Sequence, residues 1–135
     1  VRQLRFLAAL ICIASFAPGC AEEWGPTRRD VIDLDGRLRL GGTPIGGGWV
    51  EFIPIDGALG DVRAAKLNPD GTFHATKVAR GRNVVRVLNP PVNLGVDRVY
   101  QQFYSPVRPV IEAGQKLDID LRIEALRARS RTPAD

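Results

Sequence analysis

Leu117-Asp118-Ile119-Asp120-Leu121-Arg122-Ile123-Glu124 is the stretch whose reading decides the fold. Apolar and charged residues alternate through all eight positions, the period of a strand with one buried and one wet face. Four aliphatic side chains on one face contribute about 1.5–3 kcal/mol each on burial, before chain entropy is subtracted. The reading is therefore a strand over Lys116 to Glu124, with Asp118 and Asp120 together on its solvated side.

Working back from that strand, the same grammar repeats. Val84 to Leu88 is β-rich and stops at Asn89-Pro90-Pro91. Phe73 and Ala75 alternate with His74 and Thr76, after the turn sequence Asn68-Pro69-Asp70-Gly71, which reads as a hairpin. Trp49 to Ile55 follows a glycine triplet and contains Pro54, which marks an edge or a strand end. Leu38 and Leu40 alternate with Arg37 and Arg39 before Gly41-Gly42-Thr43-Pro44 turns the chain. No amphipathic helix of ordinary length is expected. The fold class is all-β, a single antiparallel β-sandwich of about seven strands over residues 33–124.

Residues 1–19 have the parts of a signal peptide in order: Arg2 and Arg5, an apolar run from Phe6 to Phe16, then Ala17-Pro18-Gly19 before Cys20. That run is too short to span about 30 Å of hydrocarbon. Residues 20–32 mix charge with Gly25 and Pro26 and read as a tether, and residues 125–135 as a basic flexible tail. Removal of the signal leaves 116 of the 135 residues, enough for one domain with its own core.

The net charge is +4, of which Arg2 and Arg5 supply two. Of the remaining arginines, Arg127, Arg129 and Arg131 sit in the polar tail and the rest alternate with acids along strand-like runs, so no concentrated basic face of the kind nucleic acid requires is expected. Cys12 lies in the signal, leaving Cys20 without a partner, and His74 is the single histidine. No disulfide framework, metal site or cofactor is implied. Asp33-Leu34-Asp35-Gly36 resembles the opening of a calcium loop but lacks the later acidic ligands, and Gly46-Gly47-Gly48 lacks the lysine of a phosphate loop.

Two resemblances extend this reading. Gly19-Cys20 resembles the end of a bacterial lipobox, although Ala17 stands where leucine is usual and Pro18 is atypical. The resemblance implies lipidation of Cys20 and anchorage to the membrane; cleavage near Ala17 or Ala21, with secretion or a soluble periplasmic product, is the alternative. Then the Gly36–Pro54 stretch, Asp70-Gly71-Thr72-Phe73, Arg80-Gly81 before a valine-rich strand, and Tyr104-Ser105-Pro106 stand in an order similar to the carboxypeptidase regulatory-like, transthyretin-like sandwich. The likeness is greatest to small planctomycete lipoproteins of that type. Asn83 departs from it, standing where that pattern has tyrosine.

The resemblance implies a transthyretin-like scaffold in the cell envelope, and a fold of this kind does not name a function. The hydroxyisourate hydrolases among transthyretin-like proteins use several histidines and a C-terminal tyrosine-arginine-glycine-serine motif, whereas this chain ends Arg131-Thr132-Pro133-Ala134-Asp135. The expected role is a non-catalytic structural or binding module with an envelope protein or polysaccharide as partner, and an unrecognised enzyme ranks third. The candidate binding patch is Tyr100, Phe103 and Tyr104, flanked by Arg98 and Arg108. Exposed, these rings could stack on sugars or anchor a protein; buried, they cap the sandwich.

Overall fold

The computed structural model describes residues 28–131. The export segment 1–19, Cys20 and Trp24 lie outside the described residues, as do residues 132–135. Eight strands form in chain order: β1 (Val31–Leu40), β2 (Thr43–Pro44), β3 (Trp49–Pro54), β4 (Arg63–Lys66), β5 (Thr72–Ala79), β6 (Gly81–Leu88), β7 (Val110–Ile111) and β8 (Lys116–Asp120). One helix, α1 (Leu121–Arg131), ends the described chain, and two short 3-10 turns (Val92–Leu94, Arg98–Gln101) interrupt the segment between β6 and β7.

The strands make two four-stranded sheets that pack into an all-β sandwich. In sheet A, β1 is central, with β5 antiparallel to it, β8 parallel to it, and β2 closing a hairpin on its last residues. Sheet B has the order β4-β3-β6-β7 and is antiparallel throughout. The β1–β8 pair corrects the expectation of a wholly antiparallel sandwich. A parallel neighbour cannot arise from a hairpin and needs a long return path. Here that path is the rest of the sandwich, from Gly41 to Gln115.

Alternation along β1 is almost unbroken. Leu34, Gly36, Leu38 and Leu40 point inward, and Asp33, Asp35, Arg37 and Arg39 outward. Gly36 occupies an inward position because a Cβ there would stand 2.5 Å from both the Phe73 ring and the Leu117 carbonyl. Phe73 in turn meets Phe52 of sheet B, with ring centroids 5.6 Å apart. That contact joins the two sheets across one continuous core.

The Asn68–Gly71 turn forms, with the Gly71 N–H donating to Asn68 O and Gly71 at φ +78°. Its arms do not pair as a hairpin, however: β4 belongs to sheet B and β5 to sheet A. The turn is a corner between layers. Tight-turn chemistry sets the reversal but leaves open which sheet each arm joins.

The deciding stretch is half right. Leu117 and Ile119 are buried and Asp118 is exposed, as alternation requires. The strand then stops at Asp120, whose carboxylate is buried, and α1 begins at Leu121. Both points correct the sequence reading, which ran the strand to Glu124 and placed Asp120 in water. The physical cause is visible at the β1–β2 turn. Gly41 and Gly42 present their N–H groups to Asp120 Oδ1 and Oδ2 at 2.9 and 2.7 Å, and Arg122 N–H donates to Oδ1 at 3.1 Å. Asp120 thus caps α1 while sealing the turn that ends its partner strand. Burial pushes its pKa up, but these N–H groups with that of Ile123 outweigh burial and hold it below its ordinary value.

Candidate functional site

The three aromatic residues of the sequence-read patch separate. Tyr100 lies in the 3-10 turn Arg98–Gln101 and is buried in the core, where burial raises its pKa. Phe103 and Tyr104 are 65% and 67% exposed. Backbone bonds explain the split. Val85 N–H donates to Val107 O and Asn83 N–H to Pro109 O, so residues 107–109 are stitched to the edge of β6. Ser105 is buried, and its Oγ accepts from Val107 N–H at 3.3 Å. The loop is pinned on both sides, and Phe103 comes down on the outer face of β6.

There the Arg86 guanidinium carbon sits 3.8 Å from the centre of the Phe103 ring, a cation–π contact. Arg86 also donates to Glu51, its register partner on β3, in a close ion pair that is largely shielded from solvent. Trp49 shares that outer face, two residues from Glu51 and opposite Leu88, and is 44% exposed. The result is a face carrying two exposed aromatic rings around a mutually neutralised Arg–Glu pair. Such a face can stack flat apolar surfaces through its rings. Trp49, Glu51 and Arg86 were not singled out from sequence. Strand alternation places Trp49 and Glu51 on one face, but Arg86 joins them only through the β3–β6 register. Of the two flanking arginines, Arg108 donates from Nε to Ser105 O at 3.3 Å.

The outer face of sheet A has a different chemistry. Asp35 on β1 lies between Lys116 on β8 and His74 on β5, and Arg39 pairs with Asp118 at 2.9 Å. Asp35 Oδ1 is 2.7 Å from His74 Nδ1. That hydrogen bond, helped by the Asp35 charge, raises the His74 pKa above its ordinary value. Asp33 is used locally: β5 bulges opposite it, Lys77 adopts φ +55°, and its N–H donates to Asp33 Oδ1 at 3.0 Å. Among the described residues no group of three His, Cys, Asp or Glu is placed to hold a metal ion.

Asn83 is fully buried. Its Nδ2 donates to Ala79 O at 2.8 Å and to Gly81 O at 3.1 Å, bracing the β5–β6 turn from inside. No family model, no curated protein and no solved structure matches this chain.

Proposed function

We propose that this chain is a non-catalytic module of the bacterial cell envelope, anchored by a lipid on Cys20 and acting as a structural or binding domain. The observation that carries the reading is an export-type segment ending in Gly19-Cys20, eleven residues before the first strand of a sandwich at Val31. Eleven residues reach at most about 40 Å, which keeps the domain at the membrane. Among the described residues, both serines and the histidine make bonds within the domain. Ser105 Oγ accepts from Val107 N–H, Ser130 Oγ donates to Arg127 O, and His74 is an exposed partner of Asp35. Growth with labelled palmitate should tag the wild type and leave Cys20→Ala unlabelled. Equal release of both into the medium would overturn the anchor.

A second reading, binding of a carbohydrate or protein through aromatic rings, is favoured by Phe103 lying exposed on Arg86. It moves the patch from Tyr100, which is core, to Phe103, Tyr104 and Trp49. Loss of binding to cell-wall polysaccharide in Phe103→Ala, with an unchanged melting temperature, would support it.

A further inference from the structure

Arginines that lie far apart in the chain meet at one place. Arg82 at the start of β6, Arg108, and Arg127 and Arg131 of α1 line a single concavity in which Glu124 is the only carboxylate. Glu124 is engaged with Arg127 at 2.7 Å, and Asp56 holds Arg82 at 3.2 Å. Among the described residues Arg108 and Arg131 have no ion-pair partner. Arg127 and Arg131 belong to the basic tail of the sequence reading; the fold adds Arg82 and Arg108 to them.

The helix beside this concavity has an unusual outward face. Leu121 is buried and Ala125 packs on the core, so that side faces the sandwich. Ile123 and Leu126, three residues apart on the opposite side, are 47% and 65% exposed. At helical spacing they are flanked by Arg127 and Arg131 on one side and by Arg122 and Arg129 on the other. The face is mostly polar, with exposed Ser130 between the two aliphatics, so its contact with a lipid surface rests on the guanidinium groups, which suit anionic phosphate headgroups.

Its direction fits the point where the chain enters. α1 starts beside Gly41 and Gly42, at the far end of β1, and its last turn reaches Arg82. Arg82 lies just past Ala79, the register partner of Val31, where the chain coming from Cys20 enters the sandwich. We propose that the outer face of α1 and the arginine concavity rest on anionic phospholipid headgroups. This proposal rests on the envelope reading given above, and it adds a second, electrostatic contact to the lipid on Cys20.

The test uses the chain from position 20 onward with Cys20→Ala, which cannot be acylated, and vesicles of phosphatidylcholine with or without phosphatidylglycerol. The expected result is binding to the anionic vesicles that weakens with salt. Arg127→Gln with Arg131→Gln should weaken it by about fivefold per arginine, and Arg82→Gln with Arg108→Gln, on the sheet rather than the helix, likewise. Arg37→Gln with Lys116→Gln, an equal charge change on the outer face of sheet A, should leave it unchanged. Equal binding to both vesicle types, an equal loss in that control, or preference for duplex DNA over vesicles would overturn the proposal. Failure here with palmitate still on Cys20 removes the surface and keeps the anchor; an unlabelled Cys20 with intact vesicle binding does the reverse.

Discussion

Leu117–Asp120 and Leu121–Glu124 carry the same apolar–charged alternation, yet the first is strand and the second helix. The difference lies in what is available beside them. Leu117 to Asp120 run alongside Gly36 to Arg39 and complete a parallel ladder. Beyond Asp120 that neighbour has already turned away at Gly41, so a continued strand would find no partner for its N–H and C=O groups. A helix satisfies those groups within itself, and Asp120 supplies its cap. Four alternating residues are compatible with either outcome. The neighbour decides.

The comparison breaks most forcefully at its inward positions. Ile119 and Leu121 are buried, one on each side of the boundary, and truncation of either to alanine should cost about 2–5 kcal/mol in urea melts. Ile123 is where strand and helix disagree. A strand would bury it with Ile119, whereas in α1 it is half exposed, so Ile123→Ser should change stability by only about 0.5 kcal/mol. A loss as large as that of Ile119→Ala would restore the strand to Glu124.

Asp120 holds the boundary itself. Alternation alone makes Asp120→Ala nearly silent; the capped turn makes it cost about 2–4 kcal/mol, because the N–H groups of Gly41, Gly42 and Arg122 lose an ionised acceptor. Asp120→Asn keeps a capping oxygen and should cost less. The folded pKa is depressed, so this contribution is present above the ordinary value of 3.8 and fades as pH falls through the lower folded value. The gap between wild type and Asp120→Ala in thermal melts should therefore narrow below about pH 3.8. A gap independent of pH would show that the charge contributes nothing.

The smallest expected effect lies on sheet A. His74 has a raised pKa through Asp35, so its pairing stabilises fully below the unfolded value of 6.5 and is lost as pH rises through the folded one. Both groups are well exposed, so the shift should be just measurable as a histidine titration by NMR, moving back toward 6.5 in Asp35→Asn.

Much of the sandwich was legible because its information is local. Alternation in β1 and at the start of β5, the β-branched run of β6, the Asn68–Gly71 turn and the stop at Pro54 each follow from the residues of a short segment. The separation of Tyr100 from Phe103 was not, since three rings within five residues look alike until Val85 and Val107 set the loop against β6. Neither were the Trp49–Arg86–Phe103 face and the arginine concavity. Each joins residues from three separate segments of the chain, and only strand register and helix direction bring them together. The sequence by itself determined that the chain makes strands, where most of them turn, and which side chains of β1 and of the start of β5 point inward, because backbone period and turn sterics act between neighbours. The tertiary structure alone decided which strands pair, that β8 runs parallel to β1, and that Asp120 ends it, because those outcomes depend on which unsatisfied N–H and C=O groups lie within reach.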